Sequence, residues 1–320
     1  MTARKKRKNS MKIVYMGTPD FAVPALETIC AQGWDVPLVI TKPDRPASRG
    51  HKMQQCDVKR KALELGLAVE SPERVKNNPE LVEELKAIAP DFIVVAAYGK
   101  ILPKEILDIP AYGCINIHGS LLPKYRGAAP IQRAVLNGDP ASGVTIMYMA
   151  EECDAGDILA QRAVSIAGKT SEQVFEELSV LGAELLAESL PKIISGELQG
   201  VPQDASQATY TAMIRKEEGL IDWTRDAKAL ESHVLGMYSW PIAYTVLNGE
   251  VFKIHQAEAL TETTSAAPGT VVSAGKDGIG AACGDGHVLM LKTVQLPGKK
   301  AMDAGAFLLG HTVEIGTVLG

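Results

Sequence analysis

Apolar residues in the first two thirds of the chain recur in two patterns: short unbroken runs, and longer stretches spaced at three and four. The run Met11–Met16 predicts a strand, and the turn Gly17-Thr18-Pro19-Asp20 leads into Ala22, Ala25, Leu26, Ile29 and Cys30, which share a helical face before Gly33. Val36–Ile40 predicts a second strand, followed after a polar loop by a helix over Asp57–Leu65. Asn78 can cap a helix whose first residue is Pro79 and whose Leu81, Val82, Leu85 and Ile88 form one stripe, ending near Pro90. Phe92–Ala96, Gly113–His118 and Val144–Met149 add three more strands. Alternation of this kind predicts a doubly wound α/β domain, a mostly parallel sheet with helices on both faces. Thr170 and Gln173 stand at capping-box spacing before a long helix bearing Val174, Phe175, Leu178, Leu181 and Leu185, which closes that domain.

Beyond it the pattern changes. Gly200–Gln207 is polar and turn-rich and predicts a linker, after which short strand-like runs dominate. Asn248-Gly249 separates Ile242–Leu247 from Glu250–His255, a strong hairpin signal. Gly269–Ser273, Gly278–Cys283 and His287–Val294 follow, divided by glycine-containing turns, and together these runs predict a small β-barrel. The expected organisation is a flexible basic tail at 1–10, an α/β domain at 11–199, a linker at 200–206 and a barrel domain at 207–320.

Composition narrows the class. The 320 residues, 46% hydrophobic and 22% charged, fit two globular cores and argue against disordered or fibrous architectures. Apolar runs fall well short of the roughly 18 residues a membrane span requires, so no membrane partner is expected. Five cysteines without a CxxC pair suit a reducing cytoplasm better than a disulfide framework or zinc site. The Arg4–Lys8 cluster lacks the apolar stretch of a secretory signal. The net charge of −5 hides an asymmetry, because residues 42–61 hold seven positive and two negative side chains. An acidic body with one concentrated basic segment suits local contact with phosphate.

Candidate chemistry lies in Cys114-Ile115-Asn116-Ile117-His118. As a strand, this run turns Asn116 and His118 to one side and Ile115 and Ile117 to the other. The two polar residues stand where the strand runs out into Gly119-Ser120, the end at which open α/β sheets bind ligands. An amide and an imidazole side by side can donate to an oxyanion, or simply satisfy backbone groups. Past a later strand, Glu151, Glu152, Asp154 and Asp157 offer four carboxylates, any of which can pair with His118. Cys114 shares the face and is expected to be a buried structural thiol. No histidine pair has metal-ligand spacing, so no metal is expected. Gly17-Thr18-Pro19-Asp20 lacks the glycine pattern of a dinucleotide site.

Gly17-Thr18-Pro19-Asp20-Phe21, Asn116-Ile117-His118-Gly119-Ser120-Leu121-Leu122-Pro123 and Tyr125-Arg126-Gly127-Ala128-Ala129-Pro130 closely resemble methionyl-tRNA formyltransferases. The resemblance runs from about Met11 to Met302 and includes Pro43-Asp44-Arg45-Pro46, Ile221-Asp222-Trp223, Trp240-Pro241 and Pro297-Gly298-Lys299-Lys300. It implies a Rossmann-like formyltransferase domain and a C-terminal OB-like β-barrel that contacts tRNA. It also implies a catalytic trio of Asn116, His118 and Asp154, with Asp154 chosen over its acidic neighbours by the match alone. The run Ser120, Leu121, Leu122, Pro123 looks like the family's folate-binding signature. The implied reaction moves the formyl group of 10-formyltetrahydrofolate, a co-substrate, to the amino group of initiator methionyl-tRNA for translation initiation. The loop over 41–54 resembles the family's tRNA-recognition loop, so Arg45, Arg49 and Lys52 are expected tRNA contacts, with Lys299 and Lys300 as phosphate contacts. A cytoplasmic monomer is expected. A formyltetrahydrofolate hydrolase would present the same trio, and the basic loop with the barrel is what favours tRNA.

Overall fold

The computed structural model describes residues 10–46 and 53–320; Arg49, Lys52 and all of the basic tail except Ser10 lie outside them. The chain forms two compact units. The first takes the chain up to Gly127, then Gly143–Ala163 and Phe175–Tyr210; the second takes Ala128–Ser142, Val164–Val174 and Thr211–Gly320. Residues 200–206 belong to the first unit.

The first unit is built on strands β1 (Lys12–Gly17), β2 (Asp35–Ile40), β3 (Val69–Glu70), β4 (Phe92–Ala96), β5 (Cys114–His118), β6 (Ala141–Tyr148) and β7 (Ile158–Ser165). Their order is β7-β6-β5-β4-β1-β2-β3. Pairing is parallel from β5 across to β3, and β6 runs antiparallel to β5 with Thr145 opposite His118. All five residues of both β4 and β5 are buried, as continuous apolar runs covered on two faces require. The parallel run puts the C-terminal ends of β1, β2, β4 and β5 on one sheet edge, where ligands are bound in open α/β sheets.

Helices α1 (Val23–Ala31), α2 (Asp57–Glu64), α3 (Pro79–Ile88) and the short α4 (Lys104–Leu107) alternate with these strands. The Asn78 side chain caps α3 by accepting from the Leu81 N–H at 3.2 Å. On one side, α3 and α4 close a core of Val14, Leu38, Leu85, Ile93 and Cys114. The helix α6 (Ser171–Ser195) opens with the reciprocal capping bonds expected of Thr170 and Gln173. A Cβ on its Gly182 would stand 2.7 Å from Ile117, so the absent side chain lets α6 lie tight against β5.

In the second unit, β8 (Ala243–Leu247), β9 (Glu250–Thr263), β10 (Val271–Gly275), β11 (Gly278–Ala282) and β12 (His287–Gln295) follow the order β8-β9-β12-β11-β10, with β13 (Met302–Asp303) beside β12. The β8–β9 hairpin turns on Asn248 and Gly249, both with positive φ, as a two-residue loop matched to strand twist demands. Residues 317–320 join the two free edges: Val271 N–H donates to the Thr317 carbonyl, Leu319 N–H to Gly269, and Gly320 N–H to Val246 on β8. This closure makes the OB-like barrel. Its core gathers Trp223, Phe252, Leu289, Leu291 and Phe307. Helices α5 (Pro130–Leu136) and α7 (Ala227–Gly236), which the sequence pattern does not predict, pack against each other in this unit, Gly236 lying against Leu136.

Candidate active site

Alternation on β5 sets Asn116 and His118 on one face, with Ile117 on the other packed against α6. Both polar residues are almost wholly buried. The His118 Nε2 lies 2.9 Å from the Tyr125 carbonyl. A carbonyl only accepts, so Nε2 carries the proton, and in the neutral ring the lone pair sits on Nδ1. That nitrogen faces the Asp154 carboxylate at 3.7 Å. The gap is wider than a hydrogen bond and close enough for a strong charge interaction when the ring is protonated. Among the described residues the Asn116 amide has no hydrogen-bond partner, which leaves its N–H donors available to a ligand.

Asp154 owes its position to the loop after β6. Gly156 passes so close to the Tyr148 carbonyl that a Cβ would lie 1.9 Å from its oxygen. Asp154 itself is left-handed at φ 51°, as are Tyr125 at 63° and Ala97 at 44° on the same sheet edge. Such conformations cost on the order of 1–3 kcal/mol each and persist only where their surroundings enforce them. Here the enforcement is visible. The Gly127 N–H donates to Asp154 Oδ2 at 2.8 Å. The Gln203 amide nitrogen donates to the carbonyls of Asp154 at 2.8 Å and Gly156 at 2.7 Å. Its oxygen accepts from Nε and Nη2 of the buried Arg126, at 3.1 and 2.8 Å. Arg126 also meets Tyr210 and the exposed Glu152. One amide thus ties the acidic loop to the segment that supplies the Tyr125 carbonyl.

Of the four carboxylates in that loop, Asp154 is the one paired with His118 among the described residues. Glu151 and Glu152 are exposed. Cys114 donates weakly to the Ile106 and Leu107 carbonyls, and burial pushes its thiol up to about 12, as a structural cysteine requires. Cys153 is exposed overall, but its sulfur lies 3.4 Å from Asp154 Oδ2, and local loss of solvent with that carboxylate's charge pushes its thiol to about 11. No group of three or more His, Cys, Asp or Glu among the described residues is arranged to hold a metal ion.

Comparison with known proteins places the chain in a family. Residues 11–190 match the formyl transferase model and residues 213–312 the formyl transferase C-terminal domain model. The methionyl-tRNA formyltransferase of Citrifermentans bemidjiense is 46% identical over 311 residues, covering 97% of this chain and 96% of that protein. The Bacillus subtilis methionyl-tRNA formyltransferase is 45% identical over 310 residues, covering 97% and 98%. The chain belongs to the methionyl-tRNA formyltransferase family. Among solved structures, an N-formyltransferase from Helicobacter canadensis, in complex with folinic acid and dTDP-3-aminofucose, superposes with a TM-score of 0.68 at 19% identity, covering 88% of this chain and 98% of that one. HypX from Aquifex aeolicus with tetrahydrofolic acid gives 0.60 at 19%, covering 97% and 51%. At such identities these two establish the shared fold.

The other residues expected of a methionyl-tRNA formyltransferase fall as follows. Ser120 is fully buried and its hydroxyl donates to the Lys124 carbonyl, so it shapes the turn. Leu121 and Pro123 are half-buried and Leu122 is buried. Thr145 on β6 and Gln161 on β7 hold this run: Leu122 N–H donates to Thr145 Oγ1 at 3.1 Å, and the Gln161 amide donates to the Leu122 carbonyl at 2.8 Å. Arg45 is exposed in a two-residue strand pair with Met53–Gln54. Lys299 and Lys300 are exposed on the turn between β12 and β13 of the second unit. Sequence reasoning missed Gln161, Thr145 and Gln203. Each acts through contacts distant in the chain, and the weak local signal for Thr145 and Gln161 is a polar residue inside an apolar strand pair.

Proposed function

We propose that the Asn116, His118 and Asp154 cluster is the centre at which this enzyme works. The reaction is transfer of the formyl group of 10-formyltetrahydrofolate to the free amino group of methionyl initiator tRNA. The amine lone pair attacks the formyl carbon and forms the new C–N bond, while the carbonyl electrons move onto oxygen. Asn116, an amide without a partner among the described residues, donates to that oxyanion. His118 Nδ1 takes the proton released by the attacking nitrogen, and the Asp154 carboxylate steadies the imidazolium so formed. Collapse restores the carbonyl, breaks the bond to the folate nitrogen and returns a proton to it. No covalent enzyme intermediate is required.

One observation carries this reading: an imidazole with one nitrogen fixed by a carbonyl and the other turned to a carboxylate, beside a buried amide that has no partner among the described residues. Folate is assigned to the Ser120–Pro123 run, and the tRNA to Arg45, Arg49, Lys52, Lys299 and Lys300. The catalytic role is assigned to residues 11–199 and tRNA binding to 207–320, joined by 200–206. All three reacting side chains come from one chain, so a monomer suffices. Five free cysteines fit a cytoplasmic setting. Transfer of a labelled formyl group tests the reading: product that forms only with methionyl initiator tRNA is expected, and formate release without tRNA would overturn it in favour of a hydrolase.

A further inference from the structure

A second polar feature lies on the same sheet edge in the first unit. Lys42 follows β2, and Gly99 and Lys100 follow β4, the two strands that flank β1. Together with Asp44, Arg45 and Glu73 they line a cleft of about 430 Å³. The Lys100 Nζ is held in place by donating to the Pro72 and Glu73 carbonyls at 2.7 and 2.8 Å. Lys42 lies against Gly99, where a Cβ would stand 2.3 Å from its Nζ, and among the described residues its ammonium has no acceptor. Asp44 is already paired with Lys59 at 2.8 Å. Three cations therefore face one carboxylate, Glu73, that has no cationic partner among the described residues.

That arrangement is costly without a ligand. Burial lowers the Lys42 pKa first, and the nearby charges of Arg45 and Lys100 lower it further. An anion would relieve the repulsion. We infer that Lys42, Arg45 and Lys100 form a pocket for a backbone phosphate of the tRNA acceptor strand, an inference that rests on the tRNA-dependent reaction above. Free phosphate has the same chemistry. The strand is favoured because Arg45 opens a basic segment that continues in sequence through Arg49 and Lys52. Position agrees: β5 is three strands from β2, roughly 14 Å at about 4.8 Å per strand, so a strand held here leads across β1 and β4 toward His118.

The test is filter binding of methionyl initiator tRNA, without folate, to wild type, Lys42→Gln and the Lys42→Gln/Lys100→Gln double variant over a series of salt concentrations. Lys42→Gln removes no hydrogen bond of its side chain among the described residues, so it reports binding even where the double variant folds poorly. We expect Kd to rise about tenfold for the single change, the loss of one charge-assisted contact. The slope of log Kd against log salt should fall by about 0.7 per lysine removed. The KM for folate should hold. A wild-type Kd and salt slope in Lys42→Gln, while the wild-type protein formylates tRNA normally, would overturn the pocket alone. Wild-type protein that formylates no tRNA would instead remove the reaction on which it rests. Binding of inorganic phosphate that Lys42→Gln abolishes, with tRNA affinity unmoved, would assign the pocket to the free anion and also overturn the inference.

Discussion

His118 and His233 are each 6% exposed, one at the end of β5 in the first unit and the other inside α7 in the second. His118 has a carbonyl on one nitrogen and a carboxylate facing the other. Among the described residues His233 has only the Gly219 carbonyl, at 3.4 Å, while the nearby Glu218 carboxylate is held by Arg133 at 2.6 Å. Burial lowers the His233 pKa and keeps its ring neutral, a space-filling residue with one weak bond. Burial alone therefore does not distinguish the two rings. A charge partner, an open sheet edge and a neighbouring amide with no partner among the described residues do.

The comparison is tested most severely at the trio. Asn116→Ala, the loss of an oxyanion donor, should lower kcat by about 10²–10³-fold. Losses at least as large are expected for His118→Ala and Asp154→Ala, read by single-turnover formylation with circular dichroism to confirm folding; near-normal rates would break the contrast. A smaller effect is expected at Gln203, which positions Asp154 without touching substrate. Gln203→Ala should lower kcat by about tenfold, on the order of 1.4 kcal/mol, with both KM values held. Gln203→Glu can still accept from Arg126 yet cannot donate to the Asp154 and Gly156 carbonyls, so it should match the alanine variant. Wild-type kcat in Gln203→Glu would place the clamp on Arg126 alone.

Smallest is the effect at His233, and it should appear in stability. His233→Gln should cost about 1–2 kcal/mol in urea unfolding and leave kcat unchanged. In the wild type, the folded pKa lies below the unfolded value of 6.5, so the unfolded chain binds more protons as pH falls through 6.5. The stability from this residue is present above that pH and is lost toward the lower folded pKa. Unfolding midpoints at pH 7.5 and 5.5 should differ less in the variant; an equal difference would deny His233 this role.

Much of the frame was legible from periodicity. The boundaries of β4, the Asn78 cap, the Thr170–Gln173 capping box and the Asn248-Gly249 hairpin are local signals, and local physics decides them. Strand β7 was not legible because its residue types do not follow its burial: apolar Ile158, Leu159 and Ala160 run together and are followed by the polar pair Gln161 and Arg162. Helix α5 is only seven residues long, and strand-like runs around α7 hide its stripe of Ala227, Leu230 and Val234. At the site, alternation alone paired Asn116 with His118. Choosing among four carboxylates depended on the path of the loop over Tyr148, which neighbouring residues do not encode, and family resemblance supplied what spacing could not. Gln203 sits in a polar stretch that carries no pattern, 49 positions from the carbonyl it grips.

Crossing between the units five times, the chain leaves no single place where it can be divided. A protease nicking near residue 203 would sever Gln203 from its loop and would strand residues 128–142 and 164–174 on the wrong fragment. Neither product would be a self-sufficient half. Gene fragments for expression, or for exchange with a relative, must therefore carry both halves together.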